Sequence, residues 1–272
     1  MPAAGPQDQC FADVSAHGAA GPWRALEDVL DRYATAGREA TFWWRDDDAG
    51  RSDPALDRLL DLAGDSRPLC VAAIPMRLES DAAARLGAAG AGVRVLPHGY
   101  AHRDHAAPGA KKIEAGGDRP VGDVLAEIAA GLDRLDALVG ARLVPIFVPP
   151  WNRIAPAVAD ALTADGAWAG LSVYKARAPG ERGARLNAHI DIVDWKGGRG
   201  FVGAAAALDL AMRHLEARLD RTADIDPEEP TGLLTHHLDH DEACWRFAAD
   251  FLAAIDAHPA ARLVGPEEGL QA

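Results

Sequence analysis

The sequence predicts an α/β domain with a mostly parallel sheet, on two observations. Short apolar runs alternate with longer stretches of helical periodicity, which is the rhythm of βα units. The chain also has 272 residues, 49% of them apolar, enough to bury one large core. That size would fit one α/β barrel or two smaller domains, and the unbroken βα rhythm favours a single continuous domain over 1–272.

Each element has a local reason. The first helix is expected over about Pro22–Ala36, where Trp23, Leu26, Val29, Leu30 and Tyr33 recur at helical spacing. Strand one follows at Ala40–Trp44 and leads into Arg45-Asp46-Asp47-Asp48-Ala49-Gly50. A helix starts at Pro54 behind the capping residue Asp53, carries Leu56, Leu59, Leu60 and Leu62, and stops near Gly64. Leu69–Ile74 reads as strand two, Asp81–Leu86 as a helix and Val93–Leu96 as strand three. After a polar, Gly-rich loop (109–122), the most regular helix covers Asp123–Val139, and Leu143–Val148 is strand four. Gly170–Val173, Ala188–Val193 and Gly232–Thr235 are further strands. Helices are expected near Pro156–Asp165, Ala204–Leu219 and Asp241–Ala257. The acidic, proline-bearing Thr222–Pro230 reads as a surface loop.

Composition narrows the function. With 28 basic against 41 acidic residues the net charge is -13, and no stripe of Lys and Arg is visible, so nucleic acid is not an expected partner. Neutral or cationic substrates fit that balance better. Cys10, Cys70 and Cys244 lie far apart with no Cys-x-x-Cys pair, which points to neither a disulfide framework nor a thiolate zinc site. Met1–Gln9 has no basic segment leading into an apolar core, so the expectation is a cytoplasmic chain without signal peptide or membrane span.

Reactive residues gather where strands end, and in parallel α/β folds those ends converge on one face. Strand one ends in three adjacent carboxylates, which repel one another unless a cation, a proton-transfer role or solvation as a helix-opening turn relieves them. Strand three ends in Pro97-His98-Gly99-Tyr100-Ala101-His102. Two imidazoles four residues apart would share one face of a helical turn and could bind one ion together with a carboxylate from another strand. Asp104 and His105 leave other ligand sets open. Later strand ends carry Asp191, Asp194 and Trp195, then Thr235-His236-His237. Spacing does not choose among zinc, iron(II), cobalt(II) and manganese.

In this order, an Asp-Asp strand end, a His-x-x-x-His, a Pro-Pro-aromatic turn, an Asp-Trp and a Leu-x-His, the chain resembles the polysaccharide deacetylases of the NodB-homology, carbohydrate esterase family 4 type. The resemblance covers about Thr41 to His237, so the motif-bearing part is roughly 40–240. It implies a distorted (β/α) barrel of roughly seven βα units and a metal-dependent hydrolase that removes an acetyl group from an N-acetylated carbohydrate or related amide. It further implies a divalent ion, zinc first with cobalt, manganese or iron as substitutes, held by Asp48, His98 and His102. Asp47 would be the general base and His236 the general acid, with Asp194 or Asp191 holding that imidazole protonated. Trp151, Asn152, Trp195 and Tyr100 would contact a carbohydrate-like small molecule or oligosaccharide.

The chain departs from the family pattern in two places. Arg45-Asp46 precedes the Asp pair and Ala49 follows it, so Asp46 and Asp47 could serve as base and ligand in place of Asp47 and Asp48; His236 and His237 are a similar pair of alternatives for the acid. Val148 stands where the family has an arginine that pairs with the base. Arg45, two residues from Asp47 and therefore on the same strand face, could supply that charge. Two other classes stay open: a metal-dependent phosphoesterase using the same cluster, and a non-catalytic glycan-binding protein.

Overall fold

The computed structural model describes residues 21–181 and 184–272, so the expectations for Met1–Gln9 and Cys10 fall outside the described residues. The first half contains α1 (Pro22–Thr35), β1 (Ala40–Ala49), α2 (Pro54–Ala63), β2 (Leu69–Ala73), α3 (Ser80–Ala88), β3 (Val93–Pro97) and α4 (Val121–Val139). The second contains β4 (Ile146–Phe147), α5 (Pro156–Ala164), β5 (Gly170–Leu171), β6 (Ile190–Asp191), α6 (Ala204–Leu219), β7 (Thr231–Thr235), α7 (Glu242–Ala257), β8 (Ala261–Leu263) and α8 (Pro266–Gln271).

One parallel sheet runs β3-β2-β1-β7-β6, with β8 paired to the start of β1; β4 and β5 form a separate parallel pair. Isolated parallel bridges continue the circuit from β3 to the β4 segment (Val95 to Leu143, His98 to Val148) and from β5 toward β6 (Leu171 to Arg185, Tyr174 to Ala188). The architecture is therefore a mostly parallel α/β fold, and its strands four to six are shorter than their apolar runs. Pro145 and Pro149 bracket β4 and bring no N–H to a ladder.

β1 organises the whole. Its alternation sends Phe42 and Trp44 into the core shared with α1, α2 and α7, and sends Trp43 to the opposite face, against Cys70, Leu96, Ile146 and Val148. Trp43 Nε1–H donates to Asn187 O at 2.8 Å, and a side chain at Gly232 would collide with that indole. β1 extends five residues past the expected Trp44, through all three aspartates to Ala49. Its pairing with β7 runs to Asp46–Thr235, and β2 pairs as far as Ala49–Ala73 across a register shift between Asp46 and Ala49. The carboxylates thus belong to a strand and not to a solvated turn. Asp53 caps α2 as expected, accepting from Ala55 N and Leu56 N. β8 and α8 carry too few residues for a periodic signal and were not expected from the sequence.

Candidate active site

The register shift in β1 separates the three carboxylates. Arg45 and Asp47 share the inner face with Trp43; Asp46 points to the helix side. Asp46 is fully buried there, accepting from Thr235 Oγ1 at 2.6 Å, His237 N at 3.1 Å and His237 Nδ1 at 2.5 Å. Trp44 Nε1–H closes the chain on Thr235 Oγ1 at 2.9 Å. The pairing holds the Asp46 carboxyl below its ordinary pKa against the opposing push of burial, and raises His237 in turn. Asp46, the alternative to Asp47 as base, and His237, the alternative to His236 as acid, therefore pair with each other away from the inner face.

Asp48 takes a left-handed backbone (φ 74), a strained conformation for a non-glycine residue that turns its carboxylate toward the β3 loop. His98 Nε2 and His102 Nε2 each lie 3.2 Å from Asp48 Oδ1. That oxygen is buried and no hydrogen bond satisfies it. His98 Nδ1 faces Val148 O at 3.0 Å, and a carbonyl only accepts, so Nδ1 carries the proton and Nε2 presents its lone pair to a carboxylate oxygen. With the ring neutral these are two acceptors facing each other, which a divalent ion would bridge. Without one, a proton on Nε2 relieves them: burial lowers the His98 pKa, but Asp47 and Asp48 raise it above its ordinary value. Burial pushes the Asp48 carboxyl up, but the histidines, His98 foremost, hold it well below the usual carboxylate range. The two-His, one-carboxylate donor set fits a divalent transition ion with positions left open.

The histidines do not meet on a helical turn. Gly99 (φ 60) and His102 (φ 56) bend the chain into a loop around the buried Glu114, whose carboxylate accepts from Tyr100 N, Ala101 N and Arg103 N at 2.9–3.0 Å. A Cβ at Gly99 would strike that carboxylate. Glu114 was invisible in the sequence: it is one acid in a polar loop, with no period to mark it.

Around this cluster the remaining side chains fall into place. Arg45, buried at 0% exposure, sets Nε 2.8 Å from Asp47 Oδ1 and donates through Nη2 to Asp47 Oδ2 at 3.0 Å. It also donates to Ser172 Oγ at 2.6 Å and to Asn152 Oδ1 at 2.7 Å. Asn152 thus holds Arg45 in place. His236 Nε2 stands 3.9 Å from Asp47 Oδ2, and its buried Nδ1 has no hydrogen bond. Trp195 meets the His236 ring edge-on at 4.6 Å, and Trp151 packs 4.5 Å from the His102 ring. The Tyr100 ring lies beside Gly131 of α4, where an added Cβ would come within 3.4 Å of it.

Asp191 and Asp194 separate cleanly. Asp191 accepts from Trp195 Nε1 at 2.7 Å; burial raises its pKa, and the charge of His236 opposes that. Asp194 instead caps a turn, accepting from Lys196 N and Gly197 N at 3.1 and 2.8 Å. Of the two, Asp191 is the one linked to His236, through Trp195.

A second His-His-carboxylate cluster, His189, His214 and Glu229, lies buried at the other end of the strands. It does not suit a metal. The two rings stack at 3.5 Å with planes 18° apart, so their in-plane lone pairs cannot meet on one ion. Gly232 N–H donates to His189 Nδ1 at 2.8 Å, which puts the His189 proton on Nε2, toward Glu229 Oε2 at 3.2 Å. The cluster is a proton-linked element of stability. Burial and then His189 push His214 down to about 3. Burial pushes Glu229 up, yet its histidine partners bring it down to about 2. Unfolded His214 takes a proton below about pH 6.5 that the folded residue refuses, so stability falls as pH drops through that range; the Glu229 contribution is lost below about pH 4.3. His237, whose pKa is raised, acts in the opposite direction over the same range, so the His214 share is read by substitution: His214→Gln should raise the urea midpoint at pH 5 relative to that at pH 7, compared with wild type. An unchanged difference would remove His214 from the linkage.

In sequence, no family model and no curated protein matches this chain. In structure it is similar to the peptidoglycan deacetylase PdaC from Bacillus subtilis, with 14% identity, 86% of this chain and 91% of that chain covered, and a TM-score of 0.53. It is similar to a family 4 acetyl xylan esterase from Clostridium thermocellum in complex with a cobalt ion, at 12% identity, 85% and 90% coverage and a TM-score of 0.50. A CE4 family pseudoenzyme from Bacillus anthracis matches at 12% identity, 85% and 66% coverage and a TM-score of 0.55. At these identities the likeness is one of fold, and it is shared by enzymes and a pseudoenzyme alike. Among the described residues no helix is long and apolar enough to cross a membrane.

Proposed function

On the fold of the carbohydrate esterase family 4 deacetylases, we propose that this chain is a metal-dependent hydrolase that removes an acetyl group from an N-acetylated carbohydrate. One observation carries the reading: the Asp48, His98 and His102 donors stand beside the buried Arg45–Asp47 ion pair and His236. Binding alone would need no base and no acid next to the donors.

Asp48, His98 and His102 would hold the ion. When bound, a divalent ion polarises an acyl carbonyl and lowers the pKa of water. Asp47 takes the proton of the attacking water, its carboxylate fixed by the Arg45 fork at both oxygens. His236, 3.9 Å from Asp47, protonates the amine as the C–N bond breaks, leaving acetate and a free amino sugar. Asp191 anchors Trp195, whose ring packs against His236. Trp195, half-exposed, and Trp151 flank the two histidine sides and offer aromatic faces to a sugar ring.

Acetate release from N-acetylated chito-oligosaccharides by zinc-loaded protein tests the reading, and no release from any N-acetylated sugar would overturn it. Metal content gives a separate check. Wild-type protein dialysed after zinc loading should retain roughly one ion per chain. Asp48→Ala or His98→Ala should retain almost none, while His189→Gln keeps the wild-type content.

A further inference from the structure

Resting on the reading of the site as a hydrolase centre, we propose that the groove beside the metal donors binds a substrate carrying an anionic group, held by Arg77 and Arg134. A groove of about 840 Å³ opens from Asp48 and His102 and is walled by four guanidinium groups, Arg51, Arg77, Arg134 and Arg199, against one further carboxylate, Glu79. Asp48 is committed to the donor cluster, so cationic side chains outnumber anionic ones on the walls, in a chain of net charge -13.

The four arginines are not alike. Arg51 pairs with Asp53 and Arg199 with Asp239. Arg77 and Arg134 have no carboxylate partner among the described residues. Each instead donates to a backbone carbonyl, Arg77 Nη2 to His102 O at 3.4 Å and Arg134 Nε to Pro75 O at 2.7 Å. A carbonyl positions a guanidinium without neutralising it, so both keep their full charge for a ligand.

Their backbone is firmly placed. Arg77 N donates to Ile74 O at 2.9 Å and Glu79 N to Gly50 O at 2.8 Å, pinning the turn after β2 against the end of β1. Gly50 allows that approach, since a Cβ there would come within 3.2 Å of Arg77 Cβ. Arg134 projects from α4 and bonds to the same turn. Two unpaired guanidinium forks therefore flank one turn, next to the metal ligand His102. The planar fork matches the oxygen pair of a carboxylate or phosphate, a match lysine does not offer. The structure thus assigns to these arginines the recognition of an oxyanion on the acylated sugar, away from the bond that breaks.

Two measurements test it independently. Turnover of N-acetylglucosamine, N-acetylglucosamine 6-phosphate and N-acetylmuramic acid by zinc-loaded protein gives a ratio of kcat/KM for each anionic sugar over the neutral one. That ratio should be about tenfold or more for at least one anion, matching a charge-assisted contact, and should fall toward unity in Arg77→Gln/Arg134→Gln. Phosphate or carboxylate is then identified by which sugar is preferred. Calorimetric binding of the same three sugars to zinc-loaded protein reads the preference without turnover. If no acetate is released but the anionic sugar still binds more tightly through Arg77 and Arg134, the hydrolase reading fails and the anion site stands. Equal affinity for all three sugars, or a preference that the double substitution leaves intact, overturns the proposal.

Discussion

Asp47→Asn is expected to retain zinc and to lose turnover by about 100- to 10,000-fold, the range a positioned general base supplies. Asparagine has the size of aspartate but accepts no proton at neutral pH. The metal donors are untouched, because Asp47 directs its oxygens to Arg45 at 2.8 and 3.0 Å and not to His98 or His102. Zinc content by elemental analysis and kcat on an acetylated oligosaccharide, taken together, decide the matter. Asp46→Asn is the control for the alternative register. It breaks the buried pair with His237 at 2.5 Å and should lower stability while sparing most of the kcat of the protein that remains folded. Loss of zinc in Asp47→Asn, or a greater loss of kcat in Asp46→Asn, would move the base and ligand assignment one residue toward the N-terminus.

Much of the fold was legible because helix signals are long and redundant. α1, α2, α4, α6 and α7 lie within a residue or two of their expected spans, marked by Pro at N1, by Asp53 and by runs of Leu, Val and Ile at helical spacing. Strands β4, β5 and β6 were located but overestimated. An apolar run reports burial, whereas a continuous ladder requires a matching partner at each step; in these segments only two residues pair consecutively, and the rest of the pairing is isolated bridges such as Val95–Leu143 and Tyr174–Ala188. β1 was underestimated for the converse reason. Charged residues rarely extend a buried strand, yet Asp46 and Asp47 do so by pairing internally with His237 and Arg45.

The candidate site was legible as a set of residues and less so as a geometry. Period-two alternation correctly put Arg45 and Asp47 on one face and Asp46 on the other. It could not foresee the left-handed turn at Asp48, which brings that carboxylate round to the histidines. The spacing of His98 and His102 suggested a helical turn; a loop wound on Glu114 delivers them instead. Net charge sums over the whole surface and does not report on one groove: a total of -13 coexists with Arg77 and Arg134 beside the donors, neither with a carboxylate partner among the described residues.

The largest effect on stability is expected from Arg45→Met, at about 3–5 kcal/mol, the range for removing one partner of a buried ion pair. Methionine fills the volume but leaves Asp47, 2% exposed, without its countercharge. Ser172 Oγ, fully buried, and Asn152 Oδ1 lose their donor in the same step. Arg45→Lys should recover only part of the loss, since a single ammonium cannot meet Asp47, Ser172 and Asn152 together. The decisive variant is the double one. In Arg45→Met/Asp47→Asn no charge is stranded, so its loss of stability should be clearly smaller than the sum of the two single losses. Urea unfolding of the four proteins gives the cycle. Additive losses, or an Arg45→Met protein within about 0.5 kcal/mol of wild type, the range of an ordinary surface substitution, would show that Arg45 does not neutralise Asp47. Asp47 would then lack the partner that orients it as a base at this strand end.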